Sequence, residues 1–110
     1  MATGTTANPS QLIYFFNPGT GSGNSTAYVV PFSKGLLVAA GTWNGATVTF
    51  FQSSPSGTYV PINDITGAAI SMSSNDAVGL DYIVWNQTIY ATISNAGGST
   101  SLTVTLQRIQ

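Results

Sequence analysis

The chain has 110 residues and a formal net charge of −1, with only two cations, three acids and neither cysteine nor histidine. This composition excludes disulfides, thiolate nucleophiles, thiolate metal sites and the commonest general base. Two cations cannot neutralise a track of phosphates, so nucleic-acid binding is not expected either.

The chain is expected to form one domain preceded by a short arm. Residues 1–10 are small and polar with no periodic apolar pattern, which predicts a flexible N-terminal arm, and residues 11–110 are enough for a single core. No basic stretch followed by an apolar one is visible at the N-terminus, so the sequence shows no secretory signal, and a mature secreted form whose leader has been removed stays an alternative. The longest apolar run, residues 36–40, is too short to cross a bilayer, and no membrane partner is expected.

Short strands are the predicted elements throughout, because Thr, Val, Ile, Tyr and Phe are frequent and helix formers are scarce. Alternation of apolar and polar residues is clearest at 46–50, 88–93 and 102–106. In chain order the predicted strands are 12–17, 26–32, 36–42, 46–53, 58–62, 68–72, 81–85, 88–93 and 102–106. The inward positions of the alternating strands predict the core residues Val48, Phe50, Ile89, Ile93, Leu102, Val104 and Leu106.

Turn residues separate these strands at 17–23, 44–45, 53–57 and 95–99. Asn44-Gly45 predicts a hairpin between 36–42 and 46–53, and the apolar segments 13–16 and 28–32 are candidates for neighbouring strands. Eight to nine short strands joined by such turns predict an all-β, antiparallel β-sandwich that is jelly-roll-like, with an open barrel as the alternative.

Motifs that carry chemistry are weak in this sequence. Asp76 and Asp81 are five residues apart but lack the alternating oxygen ligands of a calcium loop, which favours solvated carboxylates over a metal site. The glycine-rich stretch 19–23 has no following lysine, which favours a hairpin connection over a phosphate loop. Asn24 and Asn86 begin glycosylation sequons that arise readily by chance. No catalytic, cofactor-binding or metal-binding residue is therefore predicted.

Aromatic side chains supply the only specific binding hypothesis. Trp43, Tyr59, Tyr82 and Trp85 offer rings that pack against sugars, although core packing or subunit contact is favoured for them. Strands that are apolar on both faces predict a contact with another subunit. The predicted contact residues are Leu12, Tyr14, Phe16, Trp43 and Tyr59, together with the N-terminal arm.

Four segments together resemble small virion proteins encoded among the head genes of tailed bacteriophages. They are Tyr28-Val-Val-Pro-Phe-Ser-Lys-Gly35, Gly41-Thr-Trp-Asn-Gly-Ala-Thr-Val-Thr-Phe50, Ser53-Ser-Pro-Ser-Gly-Thr-Tyr-Val60 and Thr100-Ser-Leu-Thr-Val-Thr-Leu-Gln-Arg-Ile109. The resemblance spans residues 26–109. It implies a capsid cement or decoration protein on the outer surface of the capsid, a trimer or dimer that bridges major capsid protein subunits and has no catalytic residues.

The sequence therefore predicts a non-enzymatic structural protein of the virion, with the major capsid protein and further copies of itself as partners and no cofactor. The alternative is a carbohydrate-binding or receptor-binding β-sandwich module of a phage tail or secreted protein. An unusual enzyme that uses Asp and Tyr is the third and least favoured interpretation.

Overall fold

A computed structural model describes residues 12–30, 34–53, 57–64, 66–80 and 87–108. Within these ranges the chain forms ten strands and no helix. The strands are β1 (Leu12–Gly19), β2 (Gly23–Asn24), β3 (Tyr28–Val30), β4 (Gly35–Thr42), β5 (Thr47–Ser53), β6 (Tyr59–Pro61), β7 (Ser71–Met72), β8 (Asp76–Leu80), β9 (Gln87–Ser94) and β10 (Ser101–Arg108). The predicted arm at 1–10 and the predicted strand at 81–85 lie outside the described residues.

The strands form two antiparallel sheets with jelly-roll connectivity. The four-stranded sheet has the order β1-β10-β4-β8, and the six-stranded sheet is built on the central pair β9-β5. The short strands β2 and β3 both pair with the free edge of β9, one after the other along its length. The short strands β6 and β7 pair in the same way with the free edge of β5. Counting β2 with β3 and β6 with β7 as one strand position each, the sandwich has eight strand positions in chain order. They pair antiparallel from the outside inward: β1 with β10, β2 and β3 with β9, β4 with β8, and β5 with β6 and β7. This is the arrangement of a long hairpin rolled into a jelly roll. The predicted β-sandwich is confirmed.

The core lies between the sheets and follows the period of two along each strand. All seven predicted core residues are at most 1% exposed, and ring contacts at about 6 Å join the sheets, as between Phe15 in β1 and Phe50 in β5. Complete burial of one such side chain contributes about 1.5–3 kcal/mol before the loss of chain entropy is counted. The alternation therefore fixes which side of each strand faces inward and which side remains outside.

Asn44-Gly45 forms a turn, but the predicted hairpin is wrong. Asn44 and Gly45 have φ of 47° and 90°, and the Ala46 amide donates to the Trp43 carbonyl at 2.9 Å. The strands on either side nevertheless belong to different sheets, since β4 pairs with β10 and β8 whereas β5 pairs with β9, β6 and β7. The turn is therefore present as predicted, but the two strands that it joins do not pair with each other.

Two further expectations about connections are also wrong. Segment 19–23 leads from β1 in one sheet to β2 in the other and is not a hairpin. Segments 13–16 and 28–32 do not pair as neighbours, because β1 and β3 lie in opposite sheets. They meet through the core, where the rings of Phe15 and Tyr28 pack edge to face with centroids 5.9 Å apart.

Candidate functional site

The two described aspartates, Asp64 and Asp76, accept hydrogen bonds from residues that follow them closely in the chain. Asp64 Oδ1 accepts hydrogen bonds from the Thr66 hydroxyl (2.6 Å) and from the amides of Thr66 (2.9 Å) and Ala68 (3.1 Å). The Thr66 hydroxyl, followed by the Ala68 amide, lowers the pKa of Asp64 below its ordinary value. Asp76 Oδ1 accepts from the Ala77 amide at 2.8 Å. Asp81 lies outside the described residues.

No group of three or more His, Cys, Asp or Glu side chains that could hold a metal ion is present in the part of the chain that the structure describes. Within the same ranges, no helix is long and apolar enough to cross a membrane. The candidate functional surfaces are therefore the outer faces of the two sheets.

The outward side chains of the four-stranded sheet form a surface without a charged residue, called here the four-stranded face. Cross-strand pairing places its members opposite one another in rows. The rows that contain Tyr14 and Leu12 cross β1, β10, β4 and β8, and a third row joins Thr103 in β10 to Ala40 in β4. Tyr14 is 45% exposed on this face, while Thr105, beside it, is only 6% exposed. The members are Leu12, Tyr14, Leu36, Val38, Ala40, Ala77, Gly79, Thr103, Thr105 and Gln107.

The outward side of the six-stranded sheet carries an aromatic cluster made of Phe51, Tyr59 and Tyr90. Phe51 and Tyr90 are direct cross-strand partners, and their rings stack with centroids 5.2 Å apart and planes 14° apart. Tyr59 packs edge-on against Tyr90 at 4.8 Å and is itself 39% exposed. Pairs of this kind contribute roughly 0.5–1.5 kcal/mol each beyond burial of area. Much of the ring surface is thus already used inside the cluster.

Hydroxyl and amide groups, together with Val29, which lies opposite Thr88 and is 58% exposed, occupy the rest of this six-stranded face. Thr49 lies opposite Thr92 across β5 and β9, and the Thr92 hydroxyl donates to Asn24 Oδ1 at 2.8 Å. The described strands of this sheet contain no charged residue. The face is therefore uncharged, with hydroxyl groups at its centre, the exposed Val29 at the β3 side and an aromatic region at the β6 side.

Trp43 lies in the connection between β4 and β5, at one end of the sandwich. It is half-buried and packs against the core, and its indole N–H donates to Asn75 Oδ1 at 2.8 Å. The same oxygen accepts from the Gly41 amide at 3.0 Å, and the Thr100 hydroxyl donates to the Trp43 carbonyl at 2.9 Å. Trp43 thus ties three connections together at this end.

The structure separates the five predicted contact residues. Leu12 and Tyr14 share the four-stranded face, whereas Tyr59 lies on the six-stranded face, opposite Ser53 at the end of β5. Trp43 precedes the other end of β5, a strand about 20 Å long by the usual rise per residue. A common sugar platform of Trp43 and Tyr59 is therefore not formed, and Tyr82 and Trp85 lie outside the described residues.

Phe16 does not lie beside Tyr14 on the outer face. The pairing of β1 with β10 shifts in register on both sides of Phe16, which places Phe16 opposite the fully buried Val104. A β-bulge of this kind turns the following side chain to the other face. The Phe16 ring packs against the core next to Gly19, where a Cβ atom would lie only 2.7 Å from it.

Sequence reasoning did not single out Phe51 and Tyr90 as candidate contact residues. Alternation puts Tyr90, next to inward-facing Ile89, and Phe51, next to inward-facing Phe50, on the outward sides of their strands. Their partnership depends on the register of β5 against β9, which the residues of either strand alone do not specify.

These observations define the chain as a jelly-roll β-sandwich with two uncharged outer faces. No protein-family model matches it, and no curated protein does either. Among solved structures, it is similar to the crystal structure of the SPBc2 prophage-derived protein YomS, with a TM-score of 0.63 and 14% sequence identity. The similarity covers 86% of this chain and 88% of that one, and it shows that the two share a fold.

Proposed function

We propose that the chain is a structural protein of a tailed-phage particle, a cement or decoration protein without enzymatic activity on the outer surface of the capsid. It would stabilise the head through non-covalent contacts with the major capsid protein. The observation that carries this proposal is the four-stranded face, a sheet surface with apolar side chains and no charged residue. Interface centres are typically depleted of charge in this way and enriched in aromatic residues such as Tyr.

Two further observations support the phage assignment. The protein with the similar fold is prophage-derived, according to its title. The low content of charged residues, 5%, also suits a protein whose surfaces are covered by other protein subunits. We infer that the chain acts as a dimer or trimer, since one copy leaves the outer side of β4 in water.

The test uses the phage or prophage that encodes the chain. Purified particles are analysed by quantitative mass spectrometry, and particles lacking the gene are heated while DNA release is followed. We expect the protein in copy numbers comparable with those of the major capsid protein. Gene deletion should lower the temperature of DNA release, and added purified protein should restore it. Absence of the protein from purified particles would overturn the proposal.

A second candidate function, glycan binding by a phage tail or secreted module, is favoured by one observation. Tyr59 is 39% exposed at the margin of the aromatic cluster, beside neutral hydroxyl groups that suit an uncharged sugar. A glycan array with the full chain tests it, using Tyr59→Ala as the variant and Tyr14→Ala as the matched tyrosine on the opposite face. Binding that is lost only in Tyr59→Ala supports this function, and an array without reproducible binding contradicts it.

A further inference from the structure

The turn that follows Trp43 contains the one Asn-Gly pair of the sequence, Asn44-Gly45. Asparagine is among the chemically labile residues of proteins, and it is most labile before glycine because no side chain shields the glycine nitrogen. That nitrogen attacks the side-chain carbonyl carbon, Cγ, of the asparagine. A bond forms between the Gly45 nitrogen and Asn44 Cγ, and the bond from Cγ to the side-chain nitrogen breaks. Ammonia leaves and carries away the proton of the Gly45 nitrogen.

This deamidation has two possible products. The first step leaves a five-membered succinimide ring, which water opens at either of its two carbonyl carbons. One opening gives aspartate, and the other gives isoaspartate, in which the main chain runs through Cβ and Cγ. Asn44 and Gly45 are both exposed, so water reaches the ring. The chain therefore carries a site that it can modify with water as the only co-reactant.

The backbone of the turn keeps the two reacting atoms apart. Asn44 and Gly45 have φ of 47° and 90°, and the Ala46 amide donates to the Trp43 carbonyl at 2.9 Å, as in a type I′ turn. The first central residue of such a turn has ψ of about 30°, which places the next nitrogen nearly opposite to Cβ across the Cα–C bond. Ring closure requires that nitrogen and Cβ on the same side. The turn must therefore open before Gly45 can attack.

A second connection holds the side chain of Asn44 in place. Asn44 Oδ1 accepts hydrogen bonds from the amides of Gly98 (3.2 Å) and Ser99 (2.9 Å). The connection also runs close to the turn, since a Cβ atom at Gly97 would lie 2.6 Å from the Asn44 main-chain oxygen. Rotation of the side chain towards Gly45 breaks both hydrogen bonds.

Thr100 fastens this second connection to the turn. Its side chain is only 3% exposed. The Thr100 hydroxyl accepts from the Gly97 amide at 2.9 Å and donates to the Trp43 carbonyl at 2.9 Å. One buried hydroxyl thus joins the residue before Asn44 to the segment that holds the Asn44 side chain.

We propose that Asn44 is a deamidation site that this end of the sandwich protects, and that it reacts only in copies in which the turn and residues 97–100 have opened. The rate of reaction is then the rate of an unconstrained chain multiplied by the fraction of open copies. Isoaspartate adds a carbon atom to the main chain of the turn, which no longer fits its hydrogen bonds. The modification therefore marks copies that have opened, and this holds whether or not the chain belongs to a capsid.

The first test compares the full chain with a synthetic peptide of residues 41–48 in mildly alkaline buffer, each with and without enough urea to unfold the chain. Digestion and mass spectrometry measure the fraction of Asn44 converted to aspartate and isoaspartate. We expect the folded chain to react at least about tenfold more slowly than the peptide, and the unfolded chain to react at the rate of the peptide. Equal rates for the folded chain and the peptide would overturn the inference, as would a peptide that does not react.

Matched threonine variants test the part played by the second connection. Thr100→Val removes both hydrogen bonds of the buried hydroxyl and should speed the reaction of the folded chain several-fold. Thr66→Val removes a hydroxyl that donates to Asp64 in another loop and should leave the rate unchanged. Asn44→Gly accepts the positive φ and should abolish the signal, which assigns it to this residue. Equal rates in Thr100→Val and the wild type would contradict the protection by residues 97–100.

Amide hydrogen exchange supplies a readout that needs no substitution. The Ala46 amide is bonded within the turn and exchanges only when the turn opens. Its protection relative to the peptide should match the protection of Asn44 against deamidation within about threefold. An Ala46 amide that exchanges as fast as in the peptide, while Asn44 remains protected, would overturn opening of the turn as the limiting step.

Discussion

The two outer faces of the sandwich differ in where their bulky residues find contacts. On the six-stranded face Phe51, Tyr59 and Tyr90 pack against one another within the same copy. On the four-stranded face Tyr14 and Val38 are separated by the smaller Thr105, and Tyr14 takes part in none of the described ring contacts. One face packs its aromatic side chains against one another, while on the other Tyr14 stands 45% exposed and outside the described ring contacts.

The largest expected effect comes from a residue on which both faces depend. Phe50 is 1% exposed and contacts the Phe15 ring across the two sheets. Phe50→Ala should lower the free energy of unfolding by about 3–5 kcal/mol, because it leaves a cavity between the sheets. Urea denaturation measures this change. A loss below about 1 kcal/mol would mean that the sheets do not rely on this contact.

The comparison of the faces is tested by two matched tyrosines. Tyr90→Ala removes a stacked and an edge-on contact and should lower the free energy of unfolding by about 1–2 kcal/mol. Tyr14→Ala should cost the isolated monomer about 0.5 kcal/mol or less, as expected for a surface position. Urea denaturation at low micromolar concentration keeps any dimer dissociated. Equal losses for the two variants would show that the faces do not differ in this way.

A smaller loss of stability is expected at the end of the sandwich where the connection from β4 to β5 crosses from one sheet to the other. Asn75→Ala removes the acceptor for the Trp43 indole N–H and the Gly41 amide, and it should cost about 1 kcal/mol. Asn75→Asp retains an acceptor oxygen and should lose less. Thermal unfolding followed by tryptophan fluorescence compares the two variants, and an identical loss in both would argue against the hydrogen bonds.

The smallest effect concerns pH and the loop held by Asp64. Hydrogen bonds from Thr66 and Ala68 lower the folded-state pKa of Asp64, so its stabilising contribution is present above its unfolded-state pKa and is lost as pH falls through the folded-state value. Between about pH 5 and pH 2 the free energy of unfolding should therefore fall less steeply for Asp64→Asn than for the wild type. Superimposable pH profiles would contradict this role.

Alternation made the core predictable because the period of two is a local property of each strand. Val48, Ile93 and Val104 are inward for the same reason in three different strands. Strand β8 was not predicted at all, because Asp76, Ala77 and Gly79 have poor strand preference and form a short, mostly exposed edge. The location of a strand can thus be predicted from the sequence where apolar and polar residues alternate. It cannot be predicted in this way for an edge strand with few apolar residues.

Pairing and site geometry depend on contacts distant in the sequence. The turn at Asn44-Gly45 has the backbone that its residues favour, yet a local turn does not determine which sheet receives the next strand. Leu12 and Tyr14 share the four-stranded face, and their role as contact residues stays a prediction. Their neighbours on that face, such as Thr105 and Val38, became visible only once the register across the strands was known.

The outward side chains of the described strands carry no charge, so salt should have little effect on contacts made through them. Higher ionic strength weakens interactions between charged groups but has little effect on interactions between apolar groups, and sulfate strengthens apolar burial. Contacts formed through these surfaces should therefore persist from dilute buffer to molar salt.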